Sequence, residues 1–369
     1  MNVAFTDLKR QYDIYAQEYE SAALRVLRSG WYVLGKELEA FEKRFAEYVG
    51  ARYCIGVNSG QDALILAVRA LGIGEGDEVI VQSNTTYIAS VLGITENGAI
   101  PVFVEPDEYF NISPDKIENA ITDKTKAILP VHLYGQACAM DDICDIARRH
   151  GLYIIEDCAQ SHGAQYRGKM TGTFGDIGCF SFYPTKPLGA LGDAGALVTD
   201  SDELEQRLRK LRNYGSGKKY VNDLEGVNTR MDELQAALLQ VGLEHLEKNN
   251  AIRMDIAKRY LDGIKNSAVT LPRTRGGATN VYHVFPLMCG KRDELQRYLE
   301  ENGVRTLIHY PIPPHMQKCY GRLGIERGAL PIAEKYAACE ISLPIYVGMP
   351  DKEIEYVIET LNRFDEGTE

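Results

Sequence analysis

The chain has 369 residues, of which 45% are hydrophobic and 25% charged. That length buries a sizeable core in two or three packed units, and the composition excludes a disordered or low-complexity polymer. Lys and Arg number 41 against 52 Asp and Glu, a formal net charge of -11. This balance excludes a general partner of nucleic-acid backbone or anionic membrane, while a locally basic pocket can still take a small anion.

The most apolar stretches, Ala127 to Tyr134 and Gly151 to Ile155, are too short to cross a bilayer and read as buried strands. Met1 to Arg10 carries Asp7 and lacks an apolar leader core, so a cytoplasmic protein is expected. The eight cysteines form no Cys-x-x-Cys pair, which leaves buried reduced thiols and no zinc knuckle or dithiol site.

Leu38, Phe41, Phe45 and Val49 recur at helical spacing and predict an amphipathic helix ending at Gly50. Short apolar strands follow at Tyr53–Val57, Glu78–Val81, Ile100–Val104, Ala127–Val131, Tyr153–Glu156 and Cys179–Phe182. Helix-length segments such as Gln61–Leu71 and Met140–His150 separate most of them. The alternation predicts an α/β fold with a mostly parallel sheet covered on both faces, and a ligand beyond the carboxyl ends of its strands. From Asp202 the pattern turns helical, and a long helix is expected through Leu234, Leu246 and Ile264. Beyond 265 a strand at Tyr282–Leu287 alternates with helices, the last striped by Ile354, Val357, Ile358, Leu361 and Phe364. A boundary near 245–250 is expected, giving a large unit over 1–245 and a smaller α+β unit over 246–369.

The chemistry concentrates in Cys179 to Gly195, where Lys186 stands just after a strand in a turn bounded by Pro184, Pro187, Gly189 and Gly192. A lone lysine there is ordinarily solvated surface. Held at a strand end with its charge disfavoured, its amine can form a Schiff base with an aldehyde cofactor. Such a cofactor needs a carboxylate at its ring nitrogen, and Asp157, following Tyr153–Glu156, is placed to supply it; the plain alternative is a helix cap. Ser59 and Gly60 open a helix directly after a strand, where free N–H groups and the helix dipole favour a phosphate. Competing motifs fail: Gly189-x-x-Gly192-x-x-Gly195 leads into a strand, and Met170 stands where a phosphate-binding loop needs a hydroxyl. His162, His283 and His309 are too dispersed for a recognisable metal motif.

These residues, with Gly76-Asp77-Glu78-Val79, Val131-His132-Leu133-Tyr134-Gly135, Glu156-Asp157-Cys158-Ala159-Gln160, Asn228-Thr229-Arg230-Met231-Asp232 and His309-Tyr310-Pro311, resemble the DegT/DnrJ/EryC1/StrS family of nucleotide-sugar aminotransferases over nearly the whole chain. The resemblance implies the aspartate-aminotransferase fold and pyridoxal 5'-phosphate as cofactor. It implies that Lys186 carries the Schiff base and shuttles the proton, that Asp157 pairs with the ring nitrogen, and that Gln160 reaches the ring hydroxyl. Ser59, Gly60, Gln61 and Ser181 would hold the phosphate, with Asn228 reaching it from the other subunit of a homodimer with shared active sites. Tyr87 would stack on the ring. Tyr183, Lys219, Arg230, His309 and Tyr310 fall where the family meets its sugar substrate. Gln61 stands where the family usually has Thr, and Pro187 where Asn is common. The implied substrate is a nucleotide-diphosphate keto sugar, first a dTDP-3-keto-6-deoxyhexose, with glutamate as amino donor. A 4-keto sugar or a UDP-3-keto uronate is the alternative. A sugar dehydratase, in which histidine would replace Lys186, and a non-catalytic regulatory relative rank below them.

Overall fold

The structure, a computed structural model, describes residues 1–84 and 88–365. Three helices open the chain, α1 (Leu8–Ile14), α2 (Ala16–Ser29) and α3 (Lys36–Val49). The expected stripe of α3 is buried: Leu38, Phe41, Phe45 and Val49 pack with Phe180 and Phe182, and Gly50 ends the helix at φ 79°. Phe45 meets Phe180 and Phe182 edge-on at 5.0 and 5.2 Å. Each such ring contributes about 1.5–3 kcal/mol through burial.

The strands and helices then alternate: β1 (Tyr53–Val57), α4 (Gly60–Ala70), β2 (Glu78–Gln82), α5 (Ala89–Thr95), β3 (Ile100–Val104), α6 (Pro114–Ile117), β4 (Thr125–Leu129), α7 (Met140–His150) and β5 (Tyr153–Asp157). A small hairpin, β6 (Gln165–Tyr166) with β7 (Lys169–Met170), precedes β8 (Ile177–Ser181) and β9 (Gly195–Thr199). Seven of these strands form one sheet in the order β1-β9-β8-β5-β4-β2-β3. β9 alone runs against the others. The near-continuous burial along β1, β2, β8 and β9 reflects helices on both faces.

After α8 (Asp202–Leu211) and an exposed hairpin, β10 (Ser216–Lys218) with β11 (Val221–Asn222), the helix α9 runs unbroken from Glu233 to Gly263. It passes through the expected boundary at 245–250. A three-stranded antiparallel sheet follows, β12 (Val269–Thr270), β13 (Phe285–Cys289) and β14 (Glu340–Leu343), with α10 (Arg292–Glu301), α11 (Pro331–Cys339) and α12 (Asp351–Asn362). The apolar stripe of α12 joins a cluster that also takes in Val3 from the N-terminus. β13 starts three residues later than the Tyr282–Leu287 reading. Val281 and His283 donate their N–H groups to Gly135 and Tyr134 at 2.9 Å, and Tyr282 has φ 48°, so that segment leaves the sheet to pack on the large sheet's loops. Among the described residues, no helix is long and apolar enough to cross a membrane.

Candidate active site

Three strand ends converge. β9 lies between β1 and β8, so Gly195 stands opposite both Val57 and Ser181. A Cβ on Gly195 would come within 2.3 Å of the Ser59 carbonyl, and one on Gly60 within 2.4 Å of the Ser181 Cβ. Only glycine lets the start of α4 approach Ser181 this closely. Ser59 caps α4, accepting a hydrogen bond from Asp62 N–H at 3.1 Å and donating to Asp62 Oδ2 at 2.9 Å. Thr229 Oγ donates to the same carboxylate oxygen at 2.8 Å, which ties the Asn228–Thr229–Arg230 segment to this helix start.

Asp157, the last residue of β5, is 1% exposed. Its Oδ2 accepts from Ser90 Oγ at 2.7 Å and its Oδ1 from the Ala159 N–H at 3.0 Å. The strand β8 leads through Ser181 into a tight turn in which Lys186 N–H donates to Tyr183 C=O at 2.8 Å, and a Cβ on Gly189 would meet the Pro184 oxygen at 2.5 Å. Burial pushes the Lys186 ammonium down to about 8, against the attraction of Asp157. A lysine so held releases its proton near neutral pH.

The three dispersed histidines gather round this lysine. His162 is pushed down to about 3 and His309 to about 4, both mainly by burial and then by the Lys186 charge; His283 is pushed well down by the same causes. All three are therefore neutral. His162 packs at 5.5 Å from the rings of Phe180 and Phe182, and neither ring nitrogen has a hydrogen-bond partner among the described residues. His309 Nδ1 lies 2.9 Å from Ser342 Oγ, which is hydrogen-bonded to the buried Glu340 carboxyl; that same carboxyl accepts the His309 N–H. Gln160 is buried, its Oε1 accepting from Tyr134 N–H at 2.6 Å and its Nε2 donating to Tyr310 Oη at 3.3 Å. Gln160, His309 and Tyr310 are thus joined through Tyr134, whose hydroxyl donates to the His309 carbonyl.

The remaining sequence candidates lie further out. Tyr183 is 53% exposed. Lys219 is exposed beside the β10–β11 hairpin, with Nζ 5.2 Å from the Tyr220 ring centre. Asn228 is exposed and bridges to Asn213, whose side-chain oxygen also accepts from Arg230 at 3.0 Å. Gln61 is half-buried in the first turn of α4. Tyr87 lies outside the described residues. Ser90 escapes sequence reading, because nothing in its local pattern announces a contact 67 positions away at Asp157; Tyr134 and His162 stand in the sequence without a local sign of their place at this site.

A second cluster, His132, Glu156 and Cys158, is buried beneath the site. His132 Nδ1 accepts from Cys138 N–H at 3.0 Å, and its Nε2 donates to Glu156 at 2.9 Å. Glu156 further accepts the N–H groups of Gly172, Phe174 and Gly175, so the cluster is satisfied as a loop anchor.

Residues 13–362 match the model of the DegT/DnrJ/EryC1/StrS aminotransferase family. The chain belongs to this family. Among its relatives, the dTDP-3-amino-3,6-dideoxy-alpha-D-galactopyranose transaminase of Aneurinibacillus thermoaerophilus is 52% identical over 98% of this chain and 99% of its own. The crystal structure of DesV from S. venezuelae in complex with a ketimine intermediate superposes with a TM-score of 0.97 at 46% identity, covering 100% of both chains. NtdA from Bacillus subtilis with bound cofactor PMP gives 0.90 at 33% identity, over 98% of this chain and 84% of its own. The aminotransferase has the fold of these pyridoxal-phosphate enzymes, and its cofactor is pyridoxal 5'-phosphate. The residues present fit that group. A low-pKa lysine, a buried carboxylate and a side-chain-free cradle at a helix N-terminus stand at adjoining strand ends.

Proposed function

We propose that this aminotransferase converts a dTDP-linked 3-keto-6-deoxyhexose to its 3-amino sugar, with glutamate as amino donor and Lys186 as the cofactor-bearing and proton-carrying residue. The observation that carries the reading is Lys186 itself, brought down to about 8 at a strand end beside Asp157. The 3-keto preference rests on the 3-amino sugar in the name of the 52%-identical transaminase.

When bound, pyridoxal 5'-phosphate supplies the carbonyl that accepts an amino group and the protonated ring that withdraws electrons. Asp157, fixed by Ser90 and the Ala159 N–H, holds the proton on the ring nitrogen. Ser59, Gly60, Gln61 and Ser181 hold the phosphate at the start of α4. Lys186 Nζ, able to gain and lose a proton near neutral pH, moves the proton on the reacting carbon. Neutral His162, packed on Phe180 and Phe182, gives the lysine a buried, uncharged neighbour. Gln160 meets the ring hydroxyl, and Tyr183, Lys219, Arg230, His309 and Tyr310 meet the nucleotide sugar.

The large unit over 1–245 carries the cofactor, and the small unit over 246–369 contributes His309 and Tyr310. A homodimer with shared sites completes the assembly. Exposed apolar side chains concentrate at Leu24, Leu27, Trp31 and Tyr32, at Tyr183 and Leu191, and at Tyr214, Tyr220 and Val221. Such concentrations favour a partner surface. With Thr229 turned onto its own α4 and Asn228 exposed, Asn228 and Lys219 are free to serve the other subunit's site.

The test is incubation of the holoenzyme with glutamate and a panel of dTDP- and UDP-linked 3-keto and 4-keto sugars, with mass detection of the amino sugar. The dTDP-3-keto-6-deoxyhexose should react fastest. A faster 4-keto sugar or uronate would replace the proposed substrate, and no amination at all would overturn the reading.

A further inference from the structure

The long helix α9 turns Asn250, Arg253, Ile256, Ala257 and Tyr260 inward. Arg253 is out of place in that company. It is 3% exposed, yet it forms no ion pair among the described residues. One Nη1–H donates to the Ile345 carbonyl at 3.0 Å, and its Nε–H has no partner among the described residues. A guanidinium offers five N–H donors and carries a full charge. Buried without an anion, it is strongly unfavourable. Holding the loop after β14 does not explain it, since a neutral donor would do; Tyr260 already holds Pro344 with a hydroxyl at 2.8 Å.

The cavity beside Arg253 supplies the reason. It is about 80 Å³ in volume, and its lining includes Lys186, Arg253, Gln11, Tyr12, Tyr15 and Asn249 but, among the described residues, no Asp or Glu. In a chain of net charge -11, a cleft lined by two basic residues and no acidic one among the described residues favours an anion. Burial alone pushes Arg253 down to about 10, with no carboxylate opposing it. His283 feels both the Lys186 and the Arg253 charge, which places them round one imidazole.

We propose that Arg253 is the carboxylate-binding residue for the amino-acid donor, seating one donor carboxylate while the donor's amine is presented toward Lys186. The proposal rests on the aminotransferase reading above, because only a donor amino acid brings an amine and a carboxylate together at this lysine. A planar guanidinium takes a carboxylate through paired N–H donors, and the unpartnered Nε–H belongs to that fork. Gln11, Tyr12 and Asn249 offer further polar contacts in the same lining. A phosphate could also pair with Arg253, so the test separates the two anions.

The probe is glutarate, a dicarboxylate without an amine, titrated calorimetrically into the holoenzyme, with dTDP as control ligand and cofactor retention measured alongside. Arg253→Met should weaken glutarate roughly 10- to 100-fold, the loss of a charged hydrogen-bond pair, with dTDP affinity and cofactor retention kept. Arg253→Lys, which keeps a charge and a donor to Ile345, should fall between Met and wild type, and it carries the test if the Met variant does not fold. Equal glutarate affinity in the variants overturns the proposal. So does loss of cofactor with glutarate affinity retained, which would assign the anion to phosphate, or parallel loss of glutarate and dTDP with a fall in Tm, which would leave only the loop tie. Wild-type enzyme that fails to bind glutarate also overturns it. Wild type that binds glutarate but aminates no keto sugar would instead overturn the substrate reading and leave Arg253 in its role.

Discussion

Lys186 is expected to destabilise the cofactor-free protein, and replacing it by Met should reveal by how much. Its ammonium is held down from 10.5 to about 8, chiefly by burial. Between those two values the unfolded chain binds more protons than the folded one, so this residue makes stability rise with pH through that window. Below about pH 8 the full penalty is present, and above pH 10.5 it is gone. At 1.36 kcal/mol per pKa unit the penalty is about 3 kcal/mol, with Asp157's attraction already included. Met matches the lysine stem in length and carries no charge. Urea denaturation of cofactor-free wild type and Lys186→Met at equal concentration, at pH 7 and pH 10.5, measures the difference; other titrating groups cancel between the two proteins. The variant should be more stable by about 2–3 kcal/mol at pH 7, converging with wild type at pH 10.5. A variant no more stable than wild type at pH 7, or a difference independent of pH, would refute a desolvated lysine and with it the basis for its reactivity.

Other outcomes follow from the same geometry. Gly195→Ala puts a Cβ 2.3 Å from the Ser59 carbonyl; it should cost about 1–3 kcal/mol by overpacking and weaken cofactor retention, read by denaturation and by dialysis of the holoenzyme. Glu340, pushed up to about 8 by burial, keeps its proton in the fold. Its contribution is therefore full below pH 4.5 and lost as pH rises through 8, and Glu340→Gln should flatten the pH dependence of Tm over that range. Mixing Lys186→Ala with Asn228→Ala protein should restore part of the activity through heterodimers with one intact shared site; no recovery after verified subunit exchange would count against sharing.

Much of the fold was legible because its signals are local. Strands buried on both faces read as apolar runs, and Met140–His150 was bounded correctly by its own periodicity and by Gly151. The start of the Tyr282–Leu287 strand is not legible, because Val281 and His283 turn their N–H groups to Gly135 and Tyr134 before the chain enters the sheet at Phe285, a tertiary contact without a local signature. At the site, Lys186, Asp157 and Ser59 could be singled out because each sits at a strand end. His162, His283 and His309 looked unrelated, since their common neighbour is a lysine reached only through the fold. Arg253 was hidden for the opposite reason. Its i, i+3, i+7 neighbours are those of an ordinary buried helix face, and a charge on that face acquires meaning only when its missing partner is seen.

The most direct measurement is chemical. Borohydride reduction of the holoenzyme fixes any carbon–nitrogen link between the cofactor and the chain, and peptide mapping by mass spectrometry then locates it. The modified peptide should be the one containing Lys186, and Lys186→Ala protein should carry no adduct after the same treatment. An adduct on another lysine, or an unchanged adduct in the variant, would contradict the assignment of Lys186 as the cofactor-bearing residue.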